Sequence, residues 1–386
     1  MRLDTFPTTV FLTGATGVLG GRILRDLLQS TSSHIYCLAR GNDAGHCQAR
    51  VRSYLRVYDP EATLEPQFRA RVIVLQGDVT QELLGLSRGR FAELQSRTDI
   101  TIHAAANTSL LANYKRLEPI NVRGTGRIIE FCLGTPAKCL SYVSTYTVMG
   151  NKTFDSGVCF READYDLGQD FPYMNYQRSK FHAEGMVREA QGHGLKWRIF
   201  RPGQIYGDSI TGAYPLSAAQ GSGLFYDLFK TAMDTGVMPD AYTHYDVVPV
   251  DYVSQGIIAL SAGPENFHDV YHLINPDAKN FAQVMGLLRE IGYPIELLPE
   301  EIYKHRLRSG AITKKGAHYT STMLKAFRLW YFISKVSFYG SAMTDCEYTR
   351  AKLEKLGVRC APIDRKLIET FVQAGIRKGY FPGLPS

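Results

Sequence analysis

The sequence predicts an α/β fold: a doubly wound parallel sheet followed by a smaller, mainly helical C-terminal domain. Three observations carry this expectation. Short β-branched runs alternate with helical stretches over the first two-thirds of the chain. A glycine-rich turn joins the first run to the first helix. From Pro276 onward helical spacing takes over. Strands and helices alternating at this rhythm require right-handed βαβ crossovers, and hence a parallel sheet covered on both faces.

In chain order, Thr8–Thr13 reads as the first strand and Gly20–Gln29 as an amphipathic helix, with Ile23, Leu24, Leu27 and Leu28 on one side. His34–Leu38, Val72–Leu75 and Ile100–His103 read as strands two to four. Glu118–Cys132 reads as a helix, with Pro119 where a helix start tolerates it. Cys139–Val143 is the fifth strand, Tyr176–Ala190 a long helix and Trp197–Arg201 the sixth strand. Gly207–His244 is rich in Gly, Ala and aromatics, and Tyr245–Val250 and Val270–Ile274 return to strand character. The expected division is 1–275 for the sheet domain, with 206–245 contributing to the substrate side, and 276–386 for the helical domain.

A length of 386 residues suffices for such a pair, at roughly 100–200 residues per domain. The absence of an apolar run of about 18 residues argues against a membrane span. The apolar stretch after Thr9 is broken by Gly14 and Gly17, which argues against a signal peptide. The seven cysteines are scattered and contain no CxxC pair. That pattern suggests reduced thiols in the cytoplasm, with neither a disulfide frame nor a zinc or other metal site. The net charge of +7 is concentrated between Glu301 and Gly340, where Lys304, Arg306, Arg308, Lys314, Lys315, Lys325, Arg328 and Lys335 face one acid, Glu301. The window is either a solvated helical face or a docking patch for an acidic partner or a phosphate-bearing substrate. Without a recognised binding module it does not point to nucleic acid.

The first strand runs into Thr13-Gly14-Ala15-Thr16-Gly17-Val18-Leu19-Gly20, and a helix follows. In such a loop the first glycine permits the turn, the second admits a dinucleotide pyrophosphate and the third lets helix and strand pack, with the helix N-terminus facing the negative charge. This makes the sheet Rossmann-type. NAD enzymes close strand two with an acid, about 20 residues past the loop, to hold the ribose 2′-hydroxyl. Here strand two closes with Ala39-Arg40. A guanidinium grips the 2′-phosphate of NADP with two hydrogen bonds, so the expected cofactor is NADPH. Arg50 is placed to add a second contact. Asp78 and Val79 follow strand three, where Asp78 is placed to accept from the adenine amino group. Ala104, Ala105 and Ala106 follow strand four, where small side chains let the cofactor lie close.

Carbonyl reduction needs a proton donor at the oxygen, more acidic than the roughly pKa 10 of a free tyrosine. A lysine four residues along the helix lies on the same face and favours the phenolate. The chain holds four such pairs: Tyr176/Lys180, Tyr226/Lys230, Tyr331/Lys335 and Tyr348/Lys352. Position singles out Tyr176/Lys180, which lies between strands five and six. It also follows Ser144-Thr145, placed at the carboxyl end of a strand, where parallel sheets bind ligands. Strand alternation lets only one of those hydroxyls face the substrate; Thr145, 31 residues before Tyr176, is preferred and Ser144 stays open. Asn121 either fixes an active-site water or the strand ends, or makes a buried backbone hydrogen bond.

With Arg201-Pro202-Gly203-Gln204-Ile205-Tyr206-Gly207 added, these residues resemble the extended short-chain dehydrogenase/reductases. Within them the chain is most similar to the thioester reductases, the terminal reductase domains of nonribosomal peptide and polyketide synthases and of carboxylic acid reductases. Tyr36-Cys37-Leu38-Ala39-Arg40, His103-Ala104-Ala105-Ala106, Asn121-Val122-Arg123-Gly124-Thr125 and Val143-Ser144-Thr145 carry that likeness, with Leu353–Gly357 and Gly379–Pro382 near the end. The likeness is thin from Gly207 to Met343.

The resemblance implies an acyl or peptidyl thioester on the phosphopantetheine arm of a carrier protein, reduced to an aldehyde or further to the alcohol. It implies Thr145, Tyr176 and Lys180 as the catalytic set, with Lys180 also on the nicotinamide ribose and Asn121, Pro202, Gly203 and Ile205 along the cofactor. It implies a monomer or part of a larger megasynthase. Since Met1 lies just ahead of strand one with no carrier domain attached, an excised terminal domain is favoured over a stand-alone enzyme acting in trans. Phe327, Trp330, Tyr331, Phe332 and Phe338 are either an acyl-pocket lining or plain core. Three rival readings remain: a fatty acyl-CoA reductase, a nucleotide-sugar epimerase or dehydratase, which Arg40 disfavours, and a non-catalytic NADP-binding sensor, which the Tyr/Lys pair disfavours.

Overall fold

The computed structural model describes residues 6–110, 112–154, 157–216, 224–240, 244–309 and 343–384. A seven-stranded sheet forms the centre. Its strands are β1 (Thr9–Thr13), β2 (His34–Ala39), β3 (Val72–Gln76), β4 (Ile100–His103), β5 (Cys139–Val143), β6 (Lys196–Pro202) and β7 (Asp269–Leu273), in the order β7-β6-β5-β4-β1-β2-β3. Every neighbour pair is parallel. The chain winds outward from β1 through β2 to β3, then returns to the other side of β1 with β4. The resulting switch point lies between β1 and β4, where Thr13 stands opposite Leu38 and His103.

Alternation along β1 shows why both faces are covered. Val10 and Leu12 point to one side. There they pack with Ile23, Leu24 and Leu27 of α1 (Val18–Ser30) and with residues of α2 (Ala44–Tyr58). Phe11 points to the other, against Ile128 and Phe131 of α3 (Gly124–Leu133) and Val187 of α4 (Asn175–Glu189). On the first face, α5 (Val250–Ser261) adds Val253 and Ile257.

A second core lies beside the sheet. It gathers Tyr206, Tyr226, Phe229 and Tyr245 with Phe281 and Leu288 of α6 (Phe281–Ile291) and Ile368 and Phe371 of α7 (Arg365–Arg377). It therefore draws on both sides of residue 275.

Three expectations need correction. The expected strand over 245–250 shrinks to Val248–Pro249, paired with Ile205–Tyr206, because Pro249 cannot donate to a ladder and α5 begins at Val250. The helix expected from Glu118 begins at Tyr114, where the Asn113 side chain accepts from the Arg116 N–H at 3.1 Å. Pro119 sits inside that continuous helical path, at the head of a π-helical turn, Pro119–Arg123. The C-terminal region, although mainly helical, also lends short parallel strands. Glu296–Leu298 pairs with Val237–Pro239, and Met343–Thr344 with Cys159–Phe160. None of the described helices is long and apolar enough to cross a membrane, and all seven cysteines are free thiols.

Candidate active site

The glycine loop has no room for side chains. Gly14 takes φ +85°, and a Cβ there would lie 2.6 Å from the Ala104 carbonyl carbon. A Cβ on Gly20 would lie 2.0 Å from the Gly14 oxygen. Gly17 caps α1 in an extended conformation with no side chain over the helix end, and the first turn carries no acid. Thr16 and Val18 are half-buried and Leu19 is buried. This cradle fits a dinucleotide pyrophosphate: bare backbone N–H groups at a helix start, held tightly against β4. At the end of β2 the Arg40 side chain is exposed, and the Arg50 guanidinium donates to the Arg40 carbonyl, so the two arginines share one corner. Asp78 is half-buried after β3 and accepts from the Thr80 N–H at 2.8 Å. Val79 packs against Gly124 of α3. Ala104, Ala105 and Ala106 are half-buried along the switch point.

On the far side of the switch point, Thr145 follows β5 and Tyr176 and Lys180 lie on α4. Lys180 is buried; its ammonium donates to the Val143 carbonyl at 2.7 Å and lies 4.2 Å from the Tyr142 ring centroid. The lysine thus pins α4 to the end of β5, two residues ahead of Thr145. The two candidate hydroxyls differ in their surroundings. Ser144 donates to Glu184 at 2.7 Å, whereas the Thr145 hydroxyl, among the described residues, meets Thr147, at 3.0 Å between hydroxyls and 3.3 Å from its N–H.

Sequence reasoning missed Glu184. It lies fully buried one turn beyond Lys180 and also accepts from Arg201 at 2.6 Å and from Arg188 at 3.1 Å. Burial pushes its carboxyl up, but the guanidiniums and the Ser144 hydroxyl outweigh that and hold it below the usual range. The spacing Tyr176, Lys180, Glu184 was the available signal.

Two electrostatic expectations change. Burial pushes the Tyr176 phenol up, opposite to the expected lowering, and it holds Lys180 down to about 7 against the attraction of Glu184. Burial is what sets the Tyr176 shift, and the free site keeps its phenol protonated. Asn121 makes the buried backbone hydrogen bonds that were one of its expected roles. Its Oδ1 accepts from the Asn107 N–H at 2.8 Å, and its Nδ2 donates to the Asn107 carbonyl and to Ser179 Oγ at 3.0 and 2.9 Å. The amide therefore ties the loop at Asn107 to Ser179 of α4. Pro202 closes β6 and is buried, Gly203 and Ile205 are half-buried, and a Cβ on Gly203 would collide with the Asp246 carboxylate.

The Lys180 shift predicts a pH effect on stability. In the folded chain the cost of the buried ammonium is fully present below about pH 7, and it fades as pH rises toward the ordinary lysine value of 10.5. Lys180→Met should therefore raise Tm more at pH 6 than at pH 9. Equal shifts at both would show that Lys180 is charged throughout.

Of the other Tyr/Lys pairs, Tyr226 accepts from the Gly207 N–H at 3.0 Å while Lys230 pairs with Asp234. Tyr348 and Lys352 both bind Asp269. These are structural contacts. Tyr331/Lys335, the aromatic run 327–338 and the basic window from Lys314 to Lys335 lie outside the described residues.

The model of a family described as "Male sterility protein", an NAD-binding domain, matches residues 12–257. A linear gramicidin synthase of Brevibacillus parabrevis is 31% identical over 94% of this chain, which spans 7% of that protein. Glycine betaine reductase ATRR of Emericella nidulans is 34% identical over 75% of this chain and 23% of its own length. The chain thus spans under a quarter of these curated relatives. The crystal structure of the terminal R domain from the myxalamid PKS-NRPS pathway superposes with a TM-score of 0.85 at 30% identity, covering 100% of this chain and 93% of that one.

Proposed function

Since this chain belongs to the NAD-binding Male sterility protein family, we propose that it uses NADPH to release a carrier-bound acyl or peptidyl thioester as an aldehyde. The observation that carries the reading is the placement of Thr145, Tyr176 and Lys180 across the switch point from an acid-free dinucleotide cradle that ends at Arg40. The likeness to a peptide synthase and to a terminal R domain supports a carrier-bound substrate. Residues 1–275 would hold the cofactor and 276–386 the acyl and carrier side, joined through the second core.

When bound, the reduced nicotinamide supplies the hydride. Thr145 and Tyr176 present hydroxyls to the thioester oxygen, where developing charge is best stabilised by donors already in place. Tyr176, kept protonated by burial, gives its proton to that oxygen. Ser144, engaged with Glu184, leaves Thr145 as the second donor. Lys180 holds the phenol-bearing turn against β5 and would bind the nicotinamide ribose. The thiohemiacetal so formed parts into an aldehyde and the free carrier thiol.

Cofactor choice is tested at Arg40. A charge-assisted bidentate contact contributes about 1.5–3 kcal/mol, so Arg40→Ala should raise KM for NADPH roughly 10- to 100-fold and leave KM for NADH unchanged. An equal rise for both would move the 2′-phosphate site elsewhere.

The reading itself is tested by offering NADPH with one acyl group in two forms, on a carrier-protein pantetheine and on coenzyme A, and following loss of reduced-nicotinamide absorbance. Faster turnover of the carrier form is expected. Equal or faster turnover of the coenzyme A form would make the protein an acyl-CoA reductase, and oxidation with neither would overturn thioester reduction.

A further inference from the structure

A continuous line of buried hydrogen bonds crosses the molecule beneath the active site. The Asn121 carbonyl can only accept, so the Thr125 hydroxyl donates to it, at 2.7 Å. Having spent its one hydrogen, Thr125 must accept from His103 Nε2, 3.2 Å away. His103 is therefore protonated at Nε2, and its bare Nδ1 accepts from the Thr13 hydroxyl at 2.7 Å. Thr13 in turn accepts from the Ala105 N–H at 3.3 Å, and its carbonyl accepts from the Ala104 N–H at 3.2 Å. At the other end the Asn121 amide donates to Ser179, whose hydroxyl donates to the Tyr176 carbonyl at 2.7 Å.

In this assignment each hydroxyl of the line donates to one acceptor, and the Asn121 amide nitrogen, with two hydrogens, serves the Asn107 carbonyl and Ser179 together. The line begins at the last residue before the glycine loop and ends on the backbone of the proposed proton donor. Thr13, His103, Thr125, Asn121 and Ser179 are all buried.

We propose that His103 is a positioning residue, locked as its Nε2–H tautomer, which with Thr125 fixes the spacing between the dinucleotide cradle and Tyr176. This rests on the reductase reading above. A charged imidazole would have to donate at Nδ1 as well as at Nε2, and the Thr13 hydroxyl, which donates to Nδ1, would then have to turn away. Burial and the nearby Lys180 hold His103 down to about 3, which keeps it neutral. The Tyr142 ring, 5.8 Å away between centroids, closes the remaining side. The cradle and the proton donor come from opposite ends of the Rossmann half, on β1 and α4. A small drift between them would misplace the reacting atoms while leaving both halves folded, and misplacement by about 1 Å can cost a hundredfold in rate.

Thr125→Val keeps the shape and removes the central hydroxyl; Thr125→Ser restores it. In Thr125→Val, kcat should fall roughly tenfold or more with a larger primary isotope effect from deuterated NADPH, because alignment for the chemical step is what is lost. The dissociation constant of NADPH, titrated by fluorescence without substrate, should stay within about twofold, since the cradle itself is intact. Thr125→Ser should recover the wild-type values. Nitrogen NMR of the wild type should show His103 protonated only at Nε2 and unchanged across neutral pH. A lower Tm in Thr125→Val with unaltered kcat and isotope effect, or an Nδ1–H tautomer, would overturn the proposal even where the wild type reduces thioesters. Failure of the wild type to reduce any thioester would strike the functional reading instead, leaving the tautomer and NADPH-binding readouts to judge this one.

Discussion

Tyr176→Phe should abolish most turnover, lowering kcat by about 10²- to 10⁴-fold, the range for loss of a positioned general acid. The substitution removes one oxygen from a half-buried ring in the first turn of α4 and leaves the dinucleotide cradle untouched. NADPH affinity should therefore hold while NADPH oxidation stops. The size of the effect follows from what the phenol does. Burial keeps it protonated through the neutral range, so it arrives at the carbonyl as an acid and parts with its proton only as the oxygen becomes basic. Phenylalanine can neither donate that proton nor hydrogen-bond the oxygen, and Thr145 alone supplies the hydrogen bond. Steady-state oxidation rates with a saturating thioester, alongside a fluorescence titration of NADPH, separate the two quantities. A variant that keeps more than about a third of wild-type kcat would remove Tyr176 from the proton-donor role.

Glu184→Ala should produce the largest loss of stability of any single substitution near the site. Its carboxylate is inaccessible to water and pairs with Arg201, itself fully buried, and with Arg188. Removing it strands the Arg201 charge in the interior, a mechanism that costs about 3–5 kcal/mol. Among the described residues Arg201 keeps the Asp164 carbonyl at 2.7 Å, His272 Nε2 at 3.1 Å and the face of the Phe160 ring, 4.7 Å away. Those are neutral partners, insufficient for a guanidinium. Chemical denaturation should register the loss as a lower midpoint. Glu184→Gln, which can still accept one of these bonds, should fall between the two. A loss under about 1 kcal/mol would mean that the pair contributes little beyond its own desolvation cost. Ser144→Ala provides the contrast. It deletes one donor to Glu184 and should cost only about 1 kcal/mol.

The parts of this molecule that are legible in the sequence are those written in local spacing. Period-two apolar runs separated by helical ones define the parallel sheet, and the glycine triplet needs only its own eight residues to declare a cradle. Tyr176 and Lys180 are four apart on one helix. What escapes depends on partners far apart in sequence. Ser144 and Glu184 are 40 residues apart, and Arg201 reaches Glu184 from β6; only the folded chain shows that Ser144 is engaged there. Asn121 has the chemistry of a ligand group, and its bonds to Asn107 and Ser179 come from residues 14 and 58 positions away. The expected help from Lys180 to Tyr176 rests on charge proximity alone and omits the desolvation that both groups undergo. Pro119 misleads because prolines favour helix starts, while here a π turn accommodates one mid-path.

The second core bears on how the chain can be cut. Tyr206, Tyr226 and Tyr245 come from before residue 275, and Phe281, Phe371 and Phe381 from after it; Tyr206 stacks on Phe371 and Tyr226 on Phe381, with ring centroids 5.7 and 5.9 Å apart. Severing the chain there would leave each fragment with a bare aromatic face, the kind of surface that drives aggregation. Grafting the C-terminal region alone onto another protein would therefore transplant half a core. A recombination boundary that respects the packing must carry residues 206–247 together with the segment that follows.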